Sequence, residues 1–327
     1  MELSWLEPER LDQSAVAGAV AVLEAARAVD TPFLPPRRTS AFVALLRHGF
    51  DGDPPLTVDG TDGSGRVLGL ARIIMPPWDN HHLAVVQVTI DPRCRRQGLG
   101  RRLHQAATER VRAHGRRLVC SSTYTSAGGA FLKALGFQPA LTLVYRRMDL
   151  LAVDPDRLLA AAGALDADYE LVRLAGEVPE EMVADVVDMS TAINDAPTGA
   201  LEFEAEVFSP QRLRAFERAE RERGRRIYRV IACERATGAL AGHTVVGVDQ
   251  EQPWHASQYD TSVVRAHRGH RLGYHLKADM VRWLRQVEPQ LRTIDTDNAS
   301  DNVHMIRINE ELGFELLATE VEWQLPL

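Results

Sequence analysis

The chain has 327 residues, of which 45% are apolar and 25% charged, and its formal net charge is −7. That length exceeds what a single hydrophobic core usually organises, so two domains are expected. The negative charge disfavours a nucleic-acid partner, because an acidic surface repels a phosphate backbone. An acidic cleft would instead attract a cationic amine.

The sequence also limits the compartment. Its first residues contain neither the basic segment nor the apolar core of a secretion signal. The apolar stretch at 15–29 is interrupted by Glu24 and Arg27, which disfavours a membrane span. We therefore expect a cytoplasmic protein that does not enter a membrane. Scattered, odd-numbered cysteines fit a reducing compartment and no disulfide framework. These cysteines are Cys94, Cys120 and Cys233.

The first half contains a regular succession of elements. The alternating segment 86–92 predicts a strand, and the arginine- and glycine-rich segment 95–103 predicts a tight loop that opens a helix. An apolar strand at 118–120 follows. The segment 130–137 predicts a second helix that stops at Gly136.

The second half repeats this succession in the same order. Residues 259–265 predict a strand, and 268–277 open a helix that extends through Leu284. A strand at 293–296 and a helix at 305–314 complete the repeat. Two units of nearly equal length and the same order indicate an internal duplication.

Each unit also has a front section that is mainly helical. The predicted helices are 10–29 and 39–48 in the first unit and 178–193 and 200–223 in the second. Segments 228–233 and 240–248 predict a hairpin that turns at Thr237-Gly238. Alternating strands and helices make each unit an α/β or α+β domain. The expected domains are 1–152 and 169–327, joined by a helix-like linker at 153–168.

The loop before the first long helix has the chemistry of an anion site. Glycines at Gly98 and Gly100 let the backbone approach a phosphate closely, and the first helical turn offers unpaired N–H groups. Clustered arginines, beginning with Arg95, add positive charge. A tight turn with a solvated arginine face is the alternative for a single copy. Two copies in register favour the anion site.

These residues resemble the GNAT (GCN5-related N-acetyltransferase) family. Its motif is V-x-P-x-x-(Q/R)-x-x-G-x-(G/A), and this chain has I-D-P-R-C-R-R-Q-G-L-G at 90–100 together with the G-F that ends the later helix. The second loop departs from the motif, because Arg271 stands where the first glycine belongs. The resemblance covers most of the chain and extends to actinobacterial tandem GNAT proteins, with an architecture similar to that of the mycothiol synthases.

The resemblance implies two tandem GNAT domains, each with a mixed, mainly antiparallel twisted sheet. Strands four and five splay apart, and the pantetheine of acetyl-CoA or another acyl-CoA lies in the gap. No metal is implied, and the histidines show no metal-ligand spacing. The residues implied at the coenzyme are Val88, Ile90, Arg95, Arg96, Gln97, Gly98, Gly100, Arg101, Val263, Arg268, Gly269, His270, Arg271, Gly273, Tyr274, Asn298 and Asn302.

The family's general base is usually an acidic residue or histidine on strand four. In the second unit the candidates are His255, Tyr259 and Asp260, and a structural role is open for each. Strict alternation places Asp260 on the face opposite to the other two, but a bulge would change that parity. The usual acidic tyrosine is replaced by Leu132 in the first unit and by Asn309 in the second. This balance favours chemistry in the second domain, and the opposite assignment stays open.

The acceptor is expected to be a small-molecule amine between the front helices and strand four. Asp195, Glu202 and Thr296 are the candidates for binding it, although a solvated helix face is an alternative for the glutamate. Two other functions stay open: a non-catalytic acyl-CoA-binding or sensing protein, and a protein lysine acetyltransferase. The chain is expected to be a monomer that mimics a dimer, or a homodimer.

Overall fold

A computed structural model describes residues 1–327, which divide into two compact units. Unit 1 comprises Met1–Thr142, Gly199–Glu204 and Thr319–Leu327, and unit 2 comprises Leu143–Thr198 and Ala205–Ala318. Each unit therefore contains segments that are distant in the sequence. The contiguous limits expected from the sequence, 1–152 and 169–327, describe the repeat along the chain and not these spatial units, and they stay a prediction.

Unit 1 contains four helices around a sheet. The helices are α1 (Gln13–Asp30), α2 (Thr39–His48), α3 (Leu99–Ala113) and α4 (Ser126–Ala134). The strands are β1 (Glu2–Leu6), β2 (Leu56–Thr61), β3 (Val67–Ile74), β4 (Leu83–Ile90), β5 (Leu118–Thr123), the first residues of β6 (Gln138–Asp149) and the last residues of β12 (Phe314–Pro326). All four predicted helices and both predicted strands of this half are confirmed.

Unit 2 repeats this arrangement. Its helices are α5 (Pro155–Ala162), α6 (Val183–Ser190), α7 (Pro210–Glu222), α8 (Leu272–Val287) and α9 (Val303–Glu311). Its strands are the remainder of β6, β7 (Tyr169–Ala175), β8 (Arg225–Glu234), β9 (Leu240–Asp249), β10 (His255–Val263), β11 (Thr293–Ala299) and the first residues of β12 (Phe314–Pro326). No helix of either unit combines the length and the apolarity needed to span a bilayer.

The helix predicted at 200–223 is wrong in its first part. Helix α7 begins only at Pro210, where proline suits the first helical position, and the Ser209 hydroxyl caps it by accepting from Arg212 N at 3.1 Å. The preceding residues are irregular, and Gly199–Glu204 belongs to unit 1. There Leu201 packs against Leu83 and Leu118.

Both units have a mixed, mainly antiparallel sheet, as expected. The strand order is β1-β2-β3-β4-β5-β12 in unit 1 and β6-β11-β10-β9-β8-β7 in unit 2. Only β4 with β5 and β10 with β11 run parallel. The last strand of each unit is supplied by the other half of the sequence: Val321–Pro326 pairs with β5, and Leu143–Asp149 pairs with β11.

The parallel pairs separate after three residues. Strand β4 pairs with β5 only from Leu83 to Val85, and β10 pairs with β11 only from His255 to Ser257. Beyond these points, one edge of β4 and of β10 has no strand partner. The splay implied by the family resemblance is therefore present in both units.

A buried base occupies the same position in the core of both units. His104 in α3 contacts the Phe137 ring, with the centroids 5.5 Å apart, and in α8 the Nζ atom of Lys277 lies 4.8 Å from the centroid of the Phe314 ring. Lys277 is only 2% exposed. Burial lowers the pKa of His104 and lowers the pKa of Lys277 to about 7. Unit 2 therefore folds around a lysine that is largely neutral above that pH.

We predict that Lys277→Met removes a pH dependence of stability. The pKa of an unfolded lysine is about 10.4, so between pH ~7 and ~10 the unfolded chain binds more protons than the folded one. The free energy of unfolding should then rise with pH across this window by on the order of 2–4 kcal/mol. Urea unfolding at pH 7, 8, 9 and 10 measures this rise.

The control is Lys133→Met, which changes the exposed second lysine of the chain. This control should keep the slope of the wild-type protein, whereas Lys277→Met should flatten it. Equal slopes in all three proteins would contradict the prediction.

Candidate functional site

The loops before α3 and α8 have the same backbone conformation. In unit 1, Arg96 and Gly98 have φ values of 64° and 80°, and the corresponding Gly269 and Arg271 of unit 2 have 94° and 56°. An arginine with positive φ is strained by about 1 kcal/mol. The arginine at position 271 therefore leaves the shape of the loop unchanged, although it departs from the motif.

The first turn of each helix leaves peptide nitrogens open. In α3, the N–H of Arg102 donates to Gly98 O at 3.2 Å. In α8, the N–H groups of Tyr274 and His275 donate to Arg271 O at 3.0 and 3.2 Å. The amides before these positions have no acceptor within their helix, and the helix dipole adds positive potential. Both loops thus have the open amides and the positive potential that suit an anion such as a diphosphate.

The second glycine of each loop faces a helix. A Cβ atom at Gly100 would lie 3.2 Å from Phe131 Cζ in α4, and one at Gly273 would lie 3.4 Å from Ile308 Cδ1 in α9. These two glycines therefore allow the helices to pack closely. They contribute to the anion site by placing its helix, not by leaving space for a ligand.

The first arginine of each loop is bound by a carboxylate of the front section. Arg95 Nε donates to Ile90 O at 3.3 Å, and its Nη2 lies 2.5 Å from Asp30 Oδ2. Arg268 Nε donates to Val263 O at 3.0 Å, and its Nη2 lies 2.5 Å from Asp195 Oδ2. Asp195, expected at the acceptor, is thus paired with the loop. The repeated clamp fixes each loop to the strand before it.

The other loop side chains fall into two groups. Arg96 and Gln97 are exposed, so they are available to a ligand. The others contact nearby elements: Arg101 Nη2 donates to Ala134 O at 3.4 Å, His270 Nδ1 lies 2.6 Å from Asp166 Oδ2, Arg271 Nη1 donates to Ala162 O at 3.1 Å, and Tyr274 is buried beneath the Arg271 guanidinium.

Strand β10 contains a bulge where it leaves β11. Gln258 pairs with Val246 and Thr261 with Thr244, so Tyr259 and Asp260 together oppose the single residue Val245. This extra residue reverses the parity expected from strict alternation. Tyr259 and Asp260 now both face α7, beside the open edge of β10.

Polar side chains fix the bulge. The Gln258 Nε2 donates to Val245 O at 2.9 Å and to Thr244 Oγ1 at 2.8 Å. Thr244 Oγ1 in turn lies 2.7 Å from Thr261 Oγ1. These bonds replace ladder contacts that the extra residue disrupts, so the bulge has one defined geometry.

Tyr259 belongs to a network that uses its hydroxyl as donor and as acceptor. The hydroxyl donates to the buried Glu220 and accepts from Arg225 Nη1 at 2.5 Å. Its ring meets Phe216 edge to face, with the centroids 5.6 Å apart. Burial, then Glu220, raises the pKa of Tyr259 above its usual value. These contacts engage the Tyr259 hydroxyl both as donor and as acceptor, whereas Asp260 is the acidic residue of the bulge.

Asp260 is half-buried and lies near two cations. Burial raises the pKa of Asp260, and the charges of Arg229 and Arg212 oppose that shift. A carboxylate with a raised pKa accepts a proton more readily than one in water. Among the expected candidates, Asp260 therefore has the properties of a general base.

His255 is bound to a buried carboxylate where the splay begins. Its Nε2 lies 2.9 Å from Asp295 Oδ2, and Arg147 and Tyr145 donate to the same carboxylate. Burial alone would raise the pKa of Asp295, but hydrogen bonds from Arg147 and His255 bring it below the usual value. The cluster joins β6, β10 and β11, so it fixes the point at which β10 and β11 separate. Sequence reasoning missed Asp295.

The remaining candidates of unit 2 lie on the other face of the sheet. Asn309 is fully buried in α9 and its Nδ2 donates to Asn298 Oδ1 at 2.7 Å. Asn302 caps α9 by accepting from Met305 N at 3.2 Å. Thr296 pairs with Arg146, which contacts Glu310 of α9. Thr296 therefore faces α9 rather than the side of Asp260.

Unit 1 has no comparable acidic group on its splayed strand. Val88 and Ile90 pack on the core beneath α3, and the Gln87 side chain accepts from Arg72 Nη2 at 2.5 Å. The register of β3 with β4 is regular from Gly69 to Ile74, so this strand has no bulge there. Glu202 also belongs to unit 1, where its carboxylate lies 3.8 Å from Arg117.

We predict that Gly247→Ala destabilises the chain through Tyr259. A Cβ atom at Gly247 would lie 2.8 Å from Tyr259 Cε2, too close for any side chain, so the ring and its bonds to Glu220 and Arg225 would have to shift. The expected loss is about 1–3 kcal/mol of unfolding free energy. Gly63→Ala is the control, because nothing lies within 4 Å of its Cβ position. Urea unfolding with equal midpoints for both variants would refute the contact.

Comparison with known proteins agrees with this geometry. The model of the GNAT acetyltransferase family matches residues 23–137 and 194–314. A tandem GNAT protein from the clavulanic acid biosynthesis pathway, solved without acetyl-CoA, is 30% identical with a TM-score of 0.83, and the match covers 99% of this chain and 98% of that one. No curated protein gives a significant match.

Two further solved structures share the fold at low identity. A GCN5-related N-acetyltransferase from Sphaerobacter thermophilus is 14% identical with a TM-score of 0.69, covering 99% of this chain and 95% of that one. N-myristoyltransferase from Saccharomyces cerevisiae, with bound myristoyl-CoA, is 9% identical with a TM-score of 0.63, covering 100% and 79%. The chain belongs to the GNAT acetyltransferase family and contains two GNAT domains in tandem.

Proposed function

We propose that the chain transfers an acetyl group from acetyl-CoA to the primary amine of a small molecule, and that the reaction takes place in unit 2. The observation that carries this proposal is the bulge of β10, which places Asp260 beside the unpaired edge of the same strand. A base and an open strand edge adjoin each other only in unit 2.

The structure fits the coenzyme at two places in each unit. The open amides before α3 and α8 suit a diphosphate, and the unpaired edges of β4 and β10 suit the amide groups of pantetheine, which can hydrogen-bond like an added strand. The coenzyme supplies an activated acyl carbonyl. We expect a coenzyme bound along β10 to hold that carbonyl near the bulge.

The expected reaction is direct attack in a ternary complex. The amine nitrogen bonds to the thioester carbonyl carbon, the carbon–sulfur bond breaks, and Asp260 accepts the proton that leaves the nitrogen. Asn309 replaces the tyrosine that serves many relatives as acid, and its Nδ2 is bound to Asn298. An amide is no useful acid, so we assign protonation of the thiolate to water.

Unit 1 is proposed to bind the coenzyme without catalysing transfer. Its loop has the conformation of the loop in unit 2, but the Gln87 side chain offers no base and is bound to Arg72. Leu132 stands where the usual acid belongs. This division of roles predicts two coenzyme sites of which only one turns over.

We predict that Asp260→Asn lowers kcat about 10²- to 10⁴-fold, the usual contribution of a general base. Binding of acetyl-CoA should be unchanged, because the loop before α8 is intact. In the wild-type protein, kcat should rise with pH as Asp260 loses its proton, and the variant should lack this limb. Thiol release from acetyl-CoA over an amine library provides the assay.

Asp185→Asn on the exposed surface of α6 is the control and should behave as the wild-type protein. Full activity in Asp260→Asn would refute the assignment of the base. Tight acetyl-CoA binding without amine-dependent thiol release would favour a sensing protein. Acetylation confined to proteins would favour a lysine acetyltransferase.

We also predict that Arg96→Gly weakens acetyl-CoA binding in unit 1 about tenfold without lowering stability. The exposed arginine can reach a phosphate, whereas glycine adopts its positive φ without steric cost. Calorimetric titration of acetyl-CoA measures the change. Arg112→Gln, which removes an exposed charge at the far end of α3, is the control. Unchanged affinity in Arg96→Gly would exclude a phosphate contact by this side chain.

A further inference from the structure

A buried arginine lies on the same face of unit 2 as Asp260. Arg229 is 4% exposed, and its hydrogen-bond partner is the His243 ring, with Nη1 2.7 Å from Nδ1. No carboxylate lies within ion-pair distance of its guanidinium. Buried cations are normally paired, because removing a charge from water is costly. Arg229 therefore has an unmet need for an anion.

The nearby carboxylates do not meet this need. Glu217 accepts from Val178 N at 2.7 Å with one oxygen and pairs with Arg214 at 2.7 Å with the other. Asp260 acts on Arg229 only over a longer range, and we have assigned it to proton transfer. A ligand can therefore supply the counter-ion of Arg229.

Two further polar groups on this face are buried without a partner. They are the Nε2 atom of His243, which is 1% exposed, and the Oγ atom of Ser262, which is 7% exposed. His243 and Ser262 are directly opposite each other on β9 and β10. Because the guanidinium can only donate, the Nδ1 of His243 accepts and its Nε2 carries the hydrogen. Arginine, histidine and serine then all present donors.

We propose that Arg229, His243 and Ser262 bind the carboxylate of the acceptor, so that the acceptor is a primary amine that also carries a carboxylate, as in an amino acid. This inference rests on the proposed transferase function and deepens it. The amine is bound near Asp260 and the carboxylate on Arg229, which gives the site one cation and one anion for a zwitterionic substrate.

The geometry assigns the carboxylate to the acceptor and not to the acyl group. Arg229 stands on β8, two strands from β10, so their backbones are about 10 Å apart. The acyl group belongs in the gap on the opposite side of β10, between β10 and β11. A dicarboxylic acyl-CoA would place its carboxylate away from Arg229.

The experiment compares matched pairs of amines that differ only in the carboxylate, such as amino acids and their carboxamides, with acetyl-CoA as donor. The wild-type protein should prefer the acids by at least tenfold in kcat/KM. Arg229→Gln should lower kcat/KM for the acids about 10- to 100-fold more than for the amides. Each protein is measured on the plateau of its own pH profile, because the loss of Arg229 also raises the pKa of Asp260. Succinyl-CoA, offered with the amides, tests whether the anion comes from the donor instead.

Controls separate recognition from folding. Arg226→Gln removes an arginine from the opposite face of β8, where it pairs with Glu288, and should keep the preference for acids. Arg229→Lys retains the charge but not the forked donor, so it should keep part of the preference. Each variant is first shown to bind acetyl-CoA as the wild-type protein does.

The outcomes distinguish failure of this inference from failure of the proposed transferase function on which it rests. Turnover without a preference for acids, or a preference that survives in Arg229→Gln, overturns the carboxylate site and leaves the transferase proposal standing. An Arg229-dependent preference for succinyl-CoA overturns it in favour of the donor. Calorimetric titration of the acids into the complex with CoA covers the cases without turnover. Arg229-dependent binding of acids without turnover supports the carboxylate site and refutes the transferase proposal. The absence of both binding and turnover refutes both proposals.

Discussion

The structure depends on an interrupted pairing between two parallel strands. In each unit, three residue pairs hold the strands together, and beyond them one edge of a central strand has no partner within the sheet. Backbone groups inside a sheet are rarely left without hydrogen bonds, because burying them unpaired is costly. An open edge in this position is stable only when water or an extended ligand bonds to it. The loop that follows each open strand leads into α3 or α8, whose first turn suits a diphosphate. The proposed binding of an acyl-CoA depends on this one constraint.

Local features of this arrangement could be predicted from the sequence. Helices α3, α8, α4 and α9 follow from apolar periodicity, and the ends of α4 and α9 follow from the glycines after them. The two loops follow from their glycines and arginines. Arg271 departs from the motif, because it stands where the first glycine of the loop is expected. It is accommodated because a non-glycine residue can adopt positive φ at modest cost where the surrounding contacts support it, here the carbonyls at the end of α5.

Features that depend on distant parts of the chain could not be predicted. The exchange of the last strands and the transfer of Gly199–Glu204 to unit 1 reflect pairing between residues far apart in sequence, and so Glu202 was assigned to the wrong surroundings. The bulge of β10 is set by Gln258 and its contact with Val245 O on the neighbouring strand, which no periodicity shows. The bulge places Asp260 on the opposite face of the sheet from the one that strict alternation predicts. Asp295 was missed because its partners come from two other strands, β6 and β10.

The two units place very different side chains at the same point of the fold. The first parallel pair is Leu83 with Leu118 in unit 1 but His255 with Thr293 in unit 2, and Cys120 corresponds to Asp295. The apolar set shows that the architecture folds without buried charge here. Buried ion pairs seldom stabilise a fold more than apolar residues of similar size. The polar face of unit 2 therefore costs folding free energy that the architecture does not require. Asp295 is occupied by its bonds to Arg147 and His255, so the groups of this face whose cost agrees with the proposed binding of a substrate are Asp260 and Arg229.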